Sequence, residues 1–190
     1  RLYVDNVQVS YDPGVPNSAP TISSNGGGAT ASVTVAENST VVTTVTASDV
    51  DAGQTLGYSI AGGADAARFT IDSSTGQLSF VTAPNYEAPT DSGRNNVYDV
   101  TVQVSDGQGG TDTQAIAVTM TNVNEAPTDL ALSANIVAEN AANGTVVGTV
   151  SGTDADTGDS KTQSLTNNAG GRFAINSSTG VVTVANRTLL

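Results

Sequence analysis

Histidine, cysteine and tryptophan are absent from the 190 residues, and methionine occurs once. Without histidine there is no Ser-His-Asp triad and no imidazole base, and with cysteine also missing there is no zinc site of the usual kind. The missing thiols also remove a cysteine nucleophile and any disulfide framework. Positive charge is scarce: 6 Lys+Arg stand against 18 Asp+Glu, a formal net charge of -12. Such a chain repels a phosphate backbone, which argues against a nucleic-acid partner. No run of about 18 apolar residues occurs, so no segment is expected to insert into a membrane. The N-terminus carries no charged-then-apolar leader pattern. The chain begins abruptly at Arg1, and is expected to be a piece of something longer. Aromatic residues make up only 4%, so the cores must be small and built from Val, Ile, Ala and Leu. Helix caps followed by apolar residues at 3.6-residue spacing are missing too. Thr and Val are abundant, and both suit a pleated, half-buried surface.

The chain repeats itself. Ala19-Pro20-Thr21 returns as Ala126-Pro127-Thr128, and Val35-Ala36-Glu37-Asn38 as Val137-Ala138-Glu139-Asn140. Asp49-Val50-Asp51-Ala52-Gly53 returns as Asp154-Ala155-Asp156-Thr157-Gly158. The block Arg68-Phe69-Thr70-Ile71-Asp72-Ser73-Ser74-Thr75-Gly76 returns as Arg172-Phe173-Ala174-Ile175-Asn176-Ser177-Ser178-Thr179-Gly180. The offsets are 107, 102, 105 and 104 residues. Four blocks in one order at nearly one spacing define a unit of about 105 residues, the size of an immunoglobulin-like sandwich.

Within the first repeat, Ser32–Val35 and Val41–Val45 alternate in the manner of strands. Phe69 and Ile71 are expected to face Leu78 and Phe80 across a hairpin. Its turn is Asp72-Ser73-Ser74-Thr75-Gly76, with Gly76 left-handed. Tyr98, Val100, Val102 and Val104 form a period-2 strand, Asp106-Gly107-Gln108-Gly109-Gly110 the next turn, and Ala115–Met120 the last strand. About seven short strands separated by turns indicate an antiparallel sandwich. Phe69, Phe173, Tyr58 and Tyr98 read as core rings, and Asp106 as a turn former. Residues 18–125 are then repeat one. Residues 126–190 are repeat two, which lacks counterparts of Asn85 through Val123 and is expected to be incomplete. Residues 1–17 are read as the last strand of a preceding domain, over Leu2–Val9, with a linker from Tyr11.

Acidic residues gather in short motifs rather than spreading evenly. Val-Ala-Glu-Asn opens each unit, and an Asp-x-Asp-x-Gly follows. Asn85-Tyr86-Glu87 comes after the hairpin, and Asn122-Val123-Asn124-Glu125 fills the joint between repeats. Carboxylates collected at one joint repel each other unless a cation lies between them. Ca²⁺, which takes six to eight oxygen ligands, is the ion this chemistry suits.

With these motifs the chain resembles tandem cadherin-like repeats of the bacterial surface-adhesin kind, over residues 19–190. The resemblance implies an all-β fold of tandem immunoglobulin-like Greek-key β-sandwiches, the second one truncated. It further implies that Ca²⁺ ions are shared at the joint by Glu37, Glu87, Asn122, Asn124, Glu125, Asp154 and Asp156. Asn124 would act through a carbonyl oxygen. Asp49 and Asp51 would serve the preceding junction, and Glu139 a junction with a third repeat. Asn122 and Asn85 stand where the family usually has Asp, and the linker is one residue shorter than the vertebrate type. These departures imply fewer or weaker ions, with affinities of about 10⁻⁴–10⁻³ M.

Other motifs fail on inspection. An EF-hand loop begun at Asp49 would need Gly and Glu where Gln54 and Ile60 stand. Asp156-Thr157-Gly158 spells an aspartic-protease triplet, but its repeat partner is Asp51-Ala52-Gly53 and no apolar strand precedes it. The four Asn-x-Ser/Thr sequons, at Asn38, Asn143, Asn176 and Asn186, are what a chain this rich in Asn, Ser and Thr produces by chance. The sequence therefore leads to a non-catalytic, calcium-stiffened segment of an extracellular or cell-surface adhesin. Its partners would be other repeats of the same chain, and cell-surface proteins or polysaccharide through absent domains. The alternative is a structural spacer between catalytic or carbohydrate-binding domains of a large secreted enzyme.

Overall fold

The computed structural model describes residues 16–51 and 53–190. The strand expected over Leu2–Val9, and the start of the linker after it, lie outside the described residues. By its internal contacts the chain divides after Asn122 into two compact units.

Among the described residues, the first unit is built from nine strands. They are β1 (Thr21–Ile22), β2 (Thr30–Ala36), β3 (Val41–Thr44), β4 (Ala47–Ser48), β5 (Gly57–Gly62), β6 (Phe69–Ile71), β7 (Gln77–Phe80), β8 (Val97–Ser105) and β9 (Thr111–Thr121). One sheet has the order β2-β9-β8-β5, a second β3-β7-β6, and β1 pairs with β4. Alternation explains the layering. Tyr98, Val100, Val102 and Val104 on β8 are buried, as are Gln114, Ile116, Val118 and Met120 on β9. The residues between them face outward, as a period of two requires. Leu78 and Phe80 on β7, Phe69 on β6, Ile22 and Val45 close the core from the other side. The Phe69 and Phe80 rings stack at 4.5 Å, and Tyr98 meets Phe80 edge-on at 5.2 Å.

One expectation is corrected. The sandwich is not antiparallel throughout, because β2 runs parallel to β9 from Thr30↔Ala115 to Ala36↔Thr121. A strand bonded along one edge to β9 leaves the hydrophobic face inward whichever way it runs, so periodicity cannot reveal its direction. The crossover from β1 to β2 is what sets it. Asn25, Gly26 and Gly27 all have positive φ there. Gln114, fully buried, donates through Nε2 to the carbonyls of Ser24 and Gly28 at 3.3 and 2.8 Å. Asn25 Nδ2 donates to its Oε1 at 3.3 Å. An amide in a core strand is costly unless bonded, and here it clamps the crossover.

The second unit forms one sheet, β10-β11-β13-β12. Its strands are β10 (Thr128–Leu132), β11 (Val146–Thr153), β12 (Phe173–Ile175) and β13 (Val181–Val184). All the pairings are antiparallel, and Val147, Val182 and Val184 are its buried hydrophobic residues.

The repeated hairpin has the same geometry in both units. Phe69↔Phe80 in the first corresponds to Phe173↔Val184 in the second. Gly76 and Gly180 sit at φ 72 and 70, and a Cβ on either would collide with the carbonyl of Val45 or Val150. That close approach lets Val45 N donate to Gly76 O and Val150 N to Gly180 O. Asp72 Oδ1 accepts from the amides of Ser74 and Thr75 at 2.9 and 2.8 Å. Asn176 Oδ1 accepts from Ser178 and Thr179 at 3.0 and 2.9 Å. The Thr75 and Ser74 amides hold the Asp72 carboxyl below its ordinary pKa.

Two outcomes follow from this packing. Phe80→Ala should cost about 3–5 kcal/mol in urea unfolding, as for other buried aromatic truncations. Val81→Ala at the exposed neighbour should stay within about 0.5 kcal/mol. At Asp72 the folded-state pKa is depressed, so its contribution is present above the unfolded value and lost as pH falls through the folded one. Asp72→Asn should keep the turn, as Asn176 does, and flatten the acid limb. Melting temperatures read from about pH 5 down to about pH 2 should then fall less steeply than in the unaltered chain.

Candidate metal centre

Glu37 follows the last residue of β2, and its own amide donates to Thr121 O on β9. That bond turns the side chain inward, where it is 3% exposed. One carboxylate oxygen, Oε2, accepts from Tyr86 N at 2.8 Å. The next residue in that segment, Glu87, brings a carboxylate oxygen within 4.8 Å of one on Glu37. Two negative charges at that distance repel by about 3.5 kcal/mol at an effective dielectric of about 20. Glu87 Oε2 is buried and accepts no hydrogen bond. A buried oxygen left unbonded loses its hydration without replacement, and a hard cation is one group that would restore it.

Asp49 and Asp51 lie together after β4. Asp51 N donates to Asp49 Oδ1 at 2.8 Å, while Asp49 Oδ2 is buried and unbonded. Asp51 Oδ2 accepts from Ser18 N at 2.7 Å. Next to Ser18, Asn17 donates through Nδ2 to Asp106 Oδ2 at 2.8 Å and accepts from Gln54 Nε2 at 2.7 Å. Asp106 also accepts from the amides of Gln108 and Gly110 at 2.7 and 3.0 Å. It is thus the turn former expected, and also an anchor for residue 17. The Asn17 amide, with those backbone donors, holds the Asp106 carboxyl below its ordinary pKa against the opposing effect of burial.

The second unit repeats this arrangement. Asp156 N donates to Asp154 Oδ1 at 3.2 Å, and Asp156 Oδ2 accepts from Glu125 N at 2.7 Å. Ser18 and Glu125 both precede an Ala-Pro pair, so the second aspartate of each motif ties down the residue entering its repeat. Asn124 Nδ2 donates to Glu125 O at 3.1 Å. Asp159, which the motif reading missed, brings a third carboxylate oxygen within 4.8 Å of those on Asp154 and Asp156. The signal was a third Asp three residues after the pair.

Other expected ligands fare differently. Asn122 is exposed just past the end of β9. Glu139, the repeat counterpart of buried Glu37, is exposed in a turn and belongs to neither carboxylate group. Spacing also gave no sign of Asp65 and Asp91, both buried acceptors of backbone amides. Asp65 accepts from Ser92 and Asp99 at 2.6 and 2.9 Å, and Asp91 from Asn95 and Asn96 at 2.9 and 3.1 Å. Their bonds are filled by the chain itself.

All the donors at these positions are oxygens, and Glu87 and Asp49 each present one that is buried and unbonded. The residues therefore fit a hard divalent cation, Ca²⁺ above all.

Fold and sequence relatives agree on the class. The architecture is a cadherin-like β-sandwich, and the family model described as "Cadherin domain" matches residues 31–124. "Protein dachsous" of Drosophila melanogaster is 34% identical over 166 residues, covering 82% of this chain and 4% of that protein. The chain thus spans a small fraction of this curated relative. Among solved structures, human protocadherin-24 EC1-2 in form II matches with a TM-score of 0.61 at 22% identity. That match covers 90% of this chain and 78% of the other. Mouse cadherin-23 EC22-24 matches with a TM-score of 0.57 at 24% identity, covering 90% and 55%. At these identities the two structures establish the fold alone. Cadherin domains are extracellular, non-enzymatic adhesion modules that bind Ca²⁺ and interact with other cadherin repeats. The extracellular or cell-surface location expected from the sequence agrees with them. No helix among the described residues is long and apolar enough to cross a membrane.

The two anchoring aspartates make a local prediction. Asp51→Ala and Asp156→Ala should each move the amide proton resonance of the entering residue, Ser18 or Glu125, upfield. A charge-assisted bond of 2.7 Å is lost in each case. A two-dimensional amide spectrum of each variant checks this, and unmoved resonances would refute the anchoring role.

Proposed function

We propose that the chain is a calcium-binding, non-catalytic repeat segment of an extracellular adhesin. Ca²⁺ ions stiffen the joint between repeats, so the chain acts as a rod in cell adhesion. The observation that carries this reading is Glu87 Oε2, buried and unbonded beside the carboxylate of Glu37. Asp49 Oδ2 supports it at the start of the first unit. The ligands proposed for the joint are Glu37 and Glu87 of the first unit, Asn122, Asn124 and Glu125 of the connecting segment, and Asp154 and Asp156 of the second. Asp49 and Asp51 would serve an earlier junction, and Glu139 a later one. Bound there, the ion supplies charge neutralisation and a common centre for oxygens that otherwise repel. The chain's own residues supply the positions, through the amide bonds at Tyr86, Ser18 and Glu125. The bacterial setting belongs to this proposal, since the curated relative reported above is a Drosophila protein. The high negative charge would keep such rods soluble and apart.

Thermal melts with millimolar Ca²⁺ and with chelator test the reading. At about ten times Kd a single site adds roughly 1.4 kcal/mol by mass action, or roughly 3–6 °C for a chain of this size. Glu125→Ala with Asp154→Ala should abolish the rise. A distance distribution between probes in the two units should narrow with Ca²⁺ and broaden with chelator. An unchanged melt at millimolar Ca²⁺ would make these acids plain anchors of turns and strands.

A further inference from the structure

In the first unit's larger sheet β9 lies between β2 and β8, and its last two residues hold one residue on each flank. Met120 N donates to Asn96 O at 2.8 Å just before β8, and Thr121 O accepts from Glu37 N at 3.0 Å just past β2. The side chains of these two flanking residues close on a single peptide segment. Glu37 Oε2 accepts from Tyr86 N at 2.8 Å, and Asn96 Nδ2 donates to Tyr86 O at 2.9 Å. Tyr86 therefore has both backbone polar groups held by side chains, and the next residue is Glu87. Asn96 is itself fixed in place. The buried carboxylate of Asp91 accepts from the amides of Asn96 and Asn95 at 3.1 and 2.9 Å. The turn does not need the Asn96 side chain, because its φ of 62 is one that glycine adopts freely. Asn96 Oδ1 is moreover buried with no donor, which is an unfavourable state. What the side chain adds is the bond to Tyr86 O.

We propose that Asn96 is a positioning residue for the Glu37–Glu87 carboxylate pair. Its Nδ2 holds the Tyr86 carbonyl, so that Glu87 stands beside Glu37 before any cation arrives. This rests on the reading of Glu37 and Glu87 as cation ligands. The two carboxylates repel, and without an ion that repulsion drives the Glu87 segment away from Glu37. The bond from Tyr86 N to Glu37 holds the segment on one side only, and leaves the peptide free to swing about it. A second bond at Tyr86 O, from the opposite flank of β9, removes that freedom. A site ordered in advance binds more tightly, because binding no longer has to order it. Outer partners that orient a ligand typically change metal affinity by about 10–100-fold. Asn96 has no carboxylate and lies outside every acidic motif, so the charge pattern gave no sign of it.

Asn96→Gly in the full 190-residue chain tests this, since glycine keeps the turn and removes only the amide. The first readout needs no metal. In chelator, the backbone order parameter of Glu87 should fall from the rigid range of about 0.85 to below about 0.6, with β8 and β9 unchanged. Asn96→Asp keeps the size and tolerates the left-handed backbone, but has no donor at neutral pH. It should loosen Glu87 in the same way, so the result does not hang on the folding of one variant. The second readout is a Ca²⁺ titration followed at the Glu87 amide resonance. Asn96→Gly should weaken binding there by about 10-fold or more. Asn95→Ala, which removes the bond from Val97 N in the same turn, should leave that affinity unchanged. The proposal is overturned if Glu87 stays rigid in both Asn96 variants. It is also overturned if Asn95→Ala weakens Ca²⁺ binding as much as Asn96→Gly, because the turn as a whole would then matter and not the clamp. If Ca²⁺ does not move the Glu87 resonance in the unaltered chain, the metal reading fails, and the chelator data alone decide whether Asn96 positions Glu87.

Discussion

The ladder between β8 and β9 is the pairing on which the rest of the first unit depends. It runs unbroken from Val97↔Thr119 to Ser105↔Thr111. It presents four buried side chains from each strand to the smaller sheet. Both outer strands of the larger sheet hang on it, one at each side. The second unit shows the converse. The hairpin turn, the left-handed glycine and the valine amide bond to that glycine are all present there, because each is satisfied locally. The segments equivalent to β2 and β5 are not strands, because strand geometry is stable only when its backbone groups are paired.

Carboxylates have a second organising role. In a chain of net charge -12 few of them can be balanced by Lys or Arg, and backbone amides serve instead. Asp51 and Asp156 hold the residues that enter the repeats, Glu37 holds Tyr86, and Asp112 accepts from Ile22 N at 2.8 Å. An amide carries only a partial charge, so these bonds orient a carboxylate without neutralising it. The same side chains are thereby aimed and left negative, the state in which a hard cation binds best. Anchoring and metal binding are therefore compatible readings of the Asp-x-Asp motif.

Much of this was legible in the residues. The Phe-x-Ile hairpin, its turn and Gly76 could be read because each depends on near neighbours and on a period of two. The core rings Phe69, Tyr58 and Tyr98 could be read from alternation alone. Glu37 and Glu87 lie 50 positions apart, and only their separate motifs pointed to a common site. Gln114, Asp65 and Asp91 carried no signal, since each is a lone polar residue whose partners are backbone groups brought in from elsewhere. Asp159 was visible as an acid but not as a third member of the group, because the bend of the loop decides whether it turns back toward Asp154.

By itself, the sequence determined the strand-rich class, the repeat of about 105 residues, the hairpin turns and the oxygen-only chemistry of the candidate ligands. These follow from composition, period and local turn geometry, which act over a few residues. Tertiary structure decided the parallel run of β2 beside β9, the burial of Glu37 against the exposure of Glu139, and which carboxylate oxygens lost water without gaining a donor. Those outcomes depend on which distant segments pack against each other. Repeat copies with nearly the same residues differ in them because their surroundings differ.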